Sequence, residues 1–333
     1  MLDERKASIL RAVVQEYIDT AQPVGSKSVA GVSGVEVSPA TVRNEMAALE
    51  RDGYLAQPHT SAGRIPTDKG YRFFVDSLTP KGTLVPGQRQ KLRHFFEHTH
   101  SALEQMLNET SRLLSDLTSY AAVVVGPPHE VATIRSVQLV GLGSRLALLV
   151  VVLSNGVVEK RSIEMAPDTD PRALEETSQA LAKHLVGRTL ADVGTAPEGG
   201  GPAVAQMVAE VVATLGTVQH DEPDHVFVGG ASRMATAFDA VQTVRQVLAT
   251  LEQQYLVVNL LENVLDRGLS VAIGAEHGVE PLAECSVVVA PYEVEGEQLG
   301  TIGVVGPTRM QYPQALAAVA LVSERLGRRL TEG

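Results

Sequence analysis

Residues 38–76, SPATVRNEMAALERDGYLAQPHTSAGRIPTDKGYRFFVD, carry the clearest structural signals of the first part of the chain. Ser38 followed by a proline is typical of a helix start, because the serine hydroxyl caps the first turn and proline suits the first helical position. The helix is predicted to run to about Arg51, where an Asp-Gly pair ends it. Residues 54–66 place turn formers between short apolar pieces, which predicts a hairpin with a long tip.

Helices are predicted on both sides of this stretch. Within 4–20 the apolar residues recur every three or four positions, which is the period of an amphipathic helix. A short helix is predicted at 26–30, after a Pro/Gly break, and a last helix after the capping residue Thr67. Residues 1–80 are therefore predicted to be ordered as helix, helix, helix, hairpin, helix.

The third helix of this series has two contrasting faces. Val42, Met46 and Leu49 point one way, whereas small residues, arginine, asparagine and threonine point the other way. Small residues let a helix enter the major groove of DNA, where arginine reads guanine and asparagine reads adenine. A helix with this position and composition is typical of the recognition element of a helix-turn-helix. Taken alone, the pattern also fits an ordinary surface helix.

The tip of the hairpin favours the DNA-binding interpretation. Residues 58–64 offer hydroxyls, an imidazole and one arginine, which suit contacts to phosphate or to the minor groove, and no packing role is evident for them. A recognition helix followed by a wing predicts a DNA-contacting set that comprises Lys27, Ser38, Ala40, Thr41, Arg43, Asn44, Ala47, Arg51, His59, Thr60, Ser61 and Arg64.

The overall charge argues against a nucleic-acid partner. The 333-residue chain has a formal net charge of −11, and residues 1–80 hold nine basic and ten acidic side chains. Acidic proteins do not usually bind nucleic acid through bulk charge, so DNA binding would depend on local geometry. The single cysteine, Cys285, excludes an intramolecular disulfide and fits a reducing compartment. Neither a signal peptide nor a membrane span is predicted, and we expect a cytoplasmic protein.

The rest of the chain is predicted to alternate helices and strands. Residues 79–87 are predicted to be a linker, followed by one long helix over 88–121. Its heptad-like rhythm fits either packing along another helix or a helix lying on the sheet of its own domain. Strands within 133–165 and 269–306 are expected to share one sheet around a more helical insertion. Further helices are predicted at 170–187, 202–216, 238–253, 255–267 and 313–330, and a further strand at 225–230.

Other clusters predict no catalytic site. His94, His98 and His100 have metal-like spacing, but no HExxH pattern and no nearby cysteine accompany them, so a solvated helix face is favoured. Three glycines spaced by three within 300–306 lack the helix and the acidic residue of a dinucleotide-binding fingerprint, and we interpret them as structural. We therefore expect no metal ion, no cofactor and no enzymatic activity.

The chain resembles the HrcA family of repressors in five strings, which stand in the expected order at both ends of the sequence. The strings are PVGSKSV at 23–29, SPATVRNEMAALE at 38–50, QPHTSAGRIPTDKGYRFFVD at 57–76, AIGAE at 272–276 and GTIGVVGPTRMQY at 300–312. The resemblance implies an α+β protein with a winged helix-turn-helix domain at 1–80 and a GAF-like α/β domain at 81–165 and 236–333. It also implies a dimerising domain inserted at 166–235.

The same resemblance implies a function. The implied protein is a homodimer that binds double-stranded DNA at the inverted-repeat operator CIRCE, represses chaperone operons of the heat-shock response and has the GroE chaperonin as a partner. The alternative is a small-molecule sensor or an enzyme with a GAF-like core, whose N-terminal helices serve assembly. Arg43, Asn44 and Arg64 discriminate between the two, because an assembly module does not need these side chains.

Overall fold

The structure, a computed structural model, describes most of the chain in two compact units. The first unit comprises Met1–Thr99, Asn108–Val124 and Phe227–Gly333, and the second comprises His100–Leu107 and Val125–Val226. The described residues are 2–59, 62–78, 84–98, 103–127, 132–143, 145–154, 157–165, 170–189, 192–194, 201–216, 226–233, 238, 241–265, 268–294 and 296–332.

The N-terminal part of the first unit, the winged-helix domain (residues 2–78), has the predicted order of elements. The elements are α1 (Glu4–Thr20), α2 (Ser26–Val29), α3 (Pro39–Arg51), β1 (Leu55–Ala56), β2 (Ile65–Pro66) and α4 (Asp68–Asp76). The helix starts are capped as the sequence indicates, since Ser38 Oγ accepts the Thr41 N–H at 3.2 Å and Thr67 Oγ1 accepts the Gly70 N–H at 3.2 Å. The strands β1 and β2 pair antiparallel and form the base of the wing.

The core of the winged-helix domain forms where the apolar faces of α1, α3 and α4 meet. Its buried side chains include Ile9, Leu10, Val13, Val42, Met46, Leu49, Leu55, Tyr71 and Phe74. Complete burial of one such side chain contributes about 1.5–3 kcal/mol. The three core residues of α3 therefore fix the rotation of that helix about its axis, and its opposite face is left in solvent.

After α4 the chain continues with eight strands and seven helices among the described residues. In chain order they are α5 (Pro86–His98), α6 (Leu103–Thr118), β3 (Ala121–Val125), β4 (Ile134–Gly141), β5 (Leu146–Leu153), β6 (Val158–Glu164), α7 (Pro171–Leu185), α8 (Pro202–Gly216), β7 (Val226–Gly229), α9 (Val241–Leu251), α10 (Gln254–Val264), β8 (Ser270–Ile273), β9 (Cys285–Val294), β10 (Glu297–Pro307) and α11 (Tyr312–Glu332).

The C-terminal core, which we define as the part of the first unit after residue 84, is built on a five-stranded sheet. The strand order is β7-β3-β10-β9-β8, and β9 pairs antiparallel with both β8 and β10. The β9 and β10 strands are buried over most of their length, because α10 and α11 pack on them. Gly327 of α11 is required for this packing, since a Cβ there would lie 2.3 Å from the Glu293 carbonyl oxygen.

The second unit contains a separate three-stranded sheet with the order β4-β5-β6. Both strand pairs are antiparallel, and Leu149, Val151 and Leu153 of β5 are fully buried in a cluster that also includes side chains of α7 and α8. The predicted turn at Asn155 and Gly156 lies outside the described residues.

Two expectations about these elements were wrong. The strands of 133–165 and 269–306 belong to different sheets, because β4, β5 and β6 pair locally as an antiparallel meander. The single helix predicted from Gln88 to about Ala121 is described as two helices, α5 (Pro86–His98) and α6 (Leu103–Thr118); Ser119 then has a φ of 66°, and β3 begins at Ala121. The short apolar run of β3 has no period that separates a buried strand from a helix.

The boundaries of the two compact units differ from the expected domain limits. The strands β4, β5 and β6 belong to the second unit, whereas we expected 81–165 to form part of the GAF-like domain. Most of α6 from Asn108 onward is buried within the first unit, and Gln88 and Gln314 both donate side-chain hydrogen bonds to the Leu117 carbonyl oxygen. A Cβ at Gly229 of β7 would lie 2.5 Å from the Ser111 backbone, so α6 packs against a strand of its own sheet, as the second of the two interpretations expects.

Candidate DNA-binding surface

The third helix, α3, presents the predicted polar face to solvent. Ala40, Arg43, Asn44 and Arg51 are exposed, and Thr41 and Ala47 are partly exposed. Among the described residues, no hydrogen bond or ion pair engages the side chains of Arg43, Asn44 or Arg51. These three side chains are therefore available for an external partner.

The acidic residues beside this face are paired with basic residues of other elements. Glu45 lies 3.7 Å from Arg5 and Asp52 lies 3.8 Å from Lys6, both on α1. Glu50 Oε2 lies 2.9 Å from the Nε of Arg64, at the base of the wing. Exposed ion pairs contribute little to stability, but each one places a positive charge next to a carboxylate and so weakens its field.

This arrangement explains how a domain close to neutrality can present a positive surface. Arg43 and Arg51 carry charges that no described carboxylate neutralises, whereas the three acidic residues that flank them are compensated. A local positive field over α3 attracts phosphates even when the chain as a whole is acidic. The objection from the net charge therefore does not hold at the level of this surface.

The wing is attached to the start of the helix-turn-helix through its backbone. The Val24 N–H donates to the Arg64 carbonyl oxygen at 2.8 Å, and the Arg64 N–H donates to the Val24 carbonyl oxygen at 2.9 Å. Gly63 permits this close approach, because a Cβ there would lie 2.4 Å from the Val24 carbonyl oxygen. The sequence predicts neither the Val24–Arg64 pairing nor the close approach at Gly63, since no residue near position 63 identifies the segment with which it pairs.

The remaining predicted residues divide into three groups. Lys27 on α2 and His59 at the wing tip are exposed, as a DNA contact requires. The Ser38 and Thr41 hydroxyls lie 3.0 Å apart, and Ser38 also caps α3, so part of their hydrogen-bonding capacity is used inside the helix. Thr60 and Ser61 lie outside the described residues.

Arg64 is held more firmly than the sequence suggests. Its side chain is 19% exposed, and its Nε faces Glu50 of α3. The side chain thus connects the wing to the recognition helix, which is a packing role that the sequence did not reveal. Any contact to DNA would be made by the terminal guanidinium nitrogens.

The histidine cluster shows a contact within one helix. The rings of His94 and His98 on α5 stack with centroids 4.2 Å apart, and His98 Nδ1 lies 2.9 Å from the His94 carbonyl oxygen. His100 lies outside the described residues. Within the described ranges, no group of three or more His, Cys, Asp or Glu side chains is arranged to hold a metal ion. No helix in the same ranges has the length and apolar character that a membrane crossing requires.

A helix-turn-helix with an uncompensated basic third helix and an attached wing defines a DNA-binding transcription regulator. Residues 104–316 match the family model described as HrcA protein C terminal domain. The heat-inducible transcription repressor HrcA of Moorella thermoacetica is 37% identical over 99% of this chain and 98% of its own length. That of Streptomyces avermitilis is 39% identical over 100% of both chains.

The chain belongs to the HrcA family of heat-inducible transcription repressors. A crystal structure described as that of a hypothetical protein has the same fold, with a TM-score of 0.68 and 25% identity over 99% of this chain and 98% of that chain. The fold is the expected α+β arrangement of a winged helix-turn-helix domain and a GAF-like domain. The alternative function, a sensor or enzyme whose N-terminal helices serve assembly, is not favoured by these relatives.

Proposed function

We propose that this chain represses chaperone operons of the heat-shock response by binding the CIRCE inverted repeat as a homodimer in the cytoplasm. The observation that carries the proposal is the outer face of α3, where Arg43, Asn44 and Arg51 are exposed and unpaired while the neighbouring carboxylates are compensated. In this proposal α3 enters the major groove, and the small residues Ala40 and Ala47 allow it to lie close to the bases.

The wing supplies the second set of contacts. His59 is exposed at its tip, and Arg64 lies at its base next to the recognition helix. We infer that these groups contact phosphate or the minor groove beside the half-site, which positions α3 without reading sequence. Lys27, at the exposed surface of α2, would contact the backbone on the other side of the groove.

The dimer contacts are proposed to lie in the second unit, which we equate with the dimerising domain. On β5, apolar side chains that are partly exposed alternate with the buried side chains. Exposed apolar residues of β4, β6 and the β4–β5 connection extend this apolar face. Its members are Val140, Leu142, Leu146, Leu148, Val150, Val152 and Val158. A sheet face of this composition is typical of a protein–protein contact. The GroE chaperonin is proposed as a further partner on the family resemblance.

Electrophoretic mobility shifts test the DNA-binding part of the proposal. The wild-type chain is expected to bind the intact inverted repeat more tightly than one half-site by a factor of about 10²–10⁴, because the second half-site is bound within the same complex. A repeat with the same base composition in scrambled order serves as the control. Equal affinity for the intact and scrambled repeats would contradict the proposal.

Sedimentation tests the dimer part. Val140 and Val158 are 46% and 40% exposed, so aspartate at either position should be tolerated by the fold but should disfavour burial in a dimer. Val85 of the first unit is 59% exposed and provides the matched control, Val85→Asp. We expect Val140→Asp and Val158→Asp to sediment as monomers and Val85→Asp as a dimer. If all three variants sediment as dimers, the contact lies elsewhere.

A further inference from the structure

One arginine of α4 links the winged-helix domain to the C-terminal core through three hydrogen bonds. Arg72 Nε donates to Glu276 Oε1 at 3.0 Å, and Arg72 Nη2 donates to Glu276 Oε2 and also to the Val271 carbonyl oxygen, the latter at 2.7 Å. A planar guanidinium that binds both oxygens of a carboxylate defines direction as well as distance. This contact therefore restricts rotation of α4 against the core.

Glu276 is also fixed by a hydrogen bond within the C-terminal core, independently of Arg72. Its Oε2 accepts the Ile273 N–H at 2.8 Å, which closes the 3₁₀ turn Gly274–His277 that follows β8. Burial raises the pKa of Glu276, but the hydrogen bonds from Arg72 and the Ile273 N–H, together with the nearby positive charge, outweigh burial and lower the pKa below its ordinary value. The carboxylate is thus charged at neutral pH and is fixed to the backbone of the core.

Gly274 brings the two parts into direct contact. It has a φ of 55°, and a Cβ at this position would lie 2.3 Å from Asp68 Oδ2, at the start of α4. Any other residue would therefore strain the backbone at this positive φ and displace the Asp68 carboxylate from the turn. One turn further along α4, the rings of Tyr71 and Tyr312 lie 6.1 Å apart, and both side chains are buried.

A second contact lies at the end of α1. Gln311 Nε2 donates to Asp19 Oδ1 at 2.8 Å. The neighbouring Tyr312 is fixed within the core, because its hydroxyl donates to the Thr308 carbonyl oxygen at 2.6 Å and lies 2.7 Å from Ser286 Oγ. The strings 57–76, 272–276 and 300–312, the last two of which received no role in DNA binding, thus meet at one domain junction.

The domain junction leaves the DNA-binding surface uncovered. It is formed by α4 and the C-terminal end of α1, whereas Arg43, Asn44 and Arg51 on α3 remain exposed in the same structure. The contact consequently does not block access of DNA to α3. What it determines is the direction in which the C-terminal core holds the recognition helix.

We propose that Arg72, Glu276 and Gly274 are positioning residues for operator binding, which set the distance between the two recognition helices of the dimer. The inference rests on the proposed function, since only a dimer on an inverted repeat has such a distance. Two linked DNA-binding domains gain most from each other when their separation matches that of the half-sites. A rigid junction supplies that match, whereas a loosened junction lets each domain bind alone.

The test compares three DNA probes with the full-length chain at one salt concentration. The probes are the intact CIRCE repeat, a single half-site, and a repeat whose spacer is longer by about 5 bp, which is half a helical turn. For Arg72→Ala, Glu276→Gln and Gly274→Ala we expect half-site affinity within about twofold of the wild type. The preference for the intact repeat over the half-site should fall at least tenfold, and the penalty for the longer spacer should shrink by a similar factor.

The control variant is Arg328→Ala, which breaks an Arg–Glu pair with Glu324 within α11 and should behave like the wild type. Equal losses on the half-site and the intact repeat would assign the junction to folding of the winged-helix domain and overturn the inference. Unchanged preferences in all three variants, or tighter binding of the intact repeat, would also overturn it. If the wild type does not prefer the intact repeat, the proposed binding as a dimer is wrong. If the wild type prefers the intact repeat and the three variants do so equally, the proposed function stands and only the role of the domain junction is wrong.

Discussion

Replacement of Arg43 by alanine should abolish most of the specific binding without a change in fold. The side chain is exposed on α3 and forms no hydrogen bond or ion pair with another described residue, so we expect the free energy of unfolding to change by no more than about 0.5 kcal/mol. A direct contact to a base edge is worth about 1–3 kcal/mol. A dimer loses this contact in both half-sites, which amounts to about 2–6 kcal/mol, or roughly 30-fold to 10⁴-fold in affinity.

Fluorescence anisotropy with labelled intact repeat measures this loss, and thermal unfolding by circular dichroism checks the fold. Arg89→Ala is the matched control, because it removes the same charge from an exposed position on α5. The control should bind within about twofold of the wild type, since the charge lies outside the winged-helix domain. Binding by Arg43→Ala within the same margin would refute the assignment of α3 as the recognition helix. A loss that is equal on unrelated DNA would assign Arg43 to phosphate rather than to a base.

Three further predictions concern the wing and the C-terminal core. Arg64→Ala should weaken binding to operator and to unrelated DNA alike and make the salt dependence of binding shallower, because a phosphate contact is lost in each half-site. An unchanged salt slope would mean that Arg64 contacts Glu50 but not DNA. Gly63→Ala should destabilise the chain by about 1–3 kcal/mol and weaken operator binding, because its Cβ would collide with the Val24 backbone, whereas Gly25→Ala, with open space around it, should do neither. Burial lowers the pKa of His277 below its ordinary 6.5, although its backbone hydrogen bonds and the nearby carboxylates oppose this shift. The neutral imidazole therefore stabilises the fold fully above pH 6.5, and this contribution is lost as the pH falls. Melting temperatures from pH 5 to pH 8 should therefore decline more steeply on the acid side for the wild type than for His277→Gln, and parallel curves would contradict this prediction.

Local chemistry was enough to predict the winged-helix domain. Ser38 and Thr67 cap the helices that the sequence places there, and Val42, Met46 and Leu49 are buried as their spacing requires. These features depend on residues three or four positions apart, so a helical period and a capping side chain determine them without knowledge of the rest of the chain. The polar outer face of α3, and with it the candidate site, follows from the same period.

Contacts between distant segments could not be predicted in this way, because folding is what brings these segments together. Arg72 and Glu276 are 204 positions apart, and no period or spacing connects them. The pairing of Glu50 with Arg64 likewise depends on how the wing folds back towards α3.

The assignment of strands to two sheets likewise depends on contacts between segments that are distant in the sequence. Antiparallel neighbours such as β4, β5 and β6 present backbone groups that any strand could pair with, and the pairing is chosen by which strand edges the chain brings together. The elements of the winged-helix domain and the faces of its helices could thus be predicted, because these depend on neighbours along the chain. The charge balance at the DNA-binding surface, the division into sheets and the domain junction were decided by packing, because each depends on residues that only folding brings together.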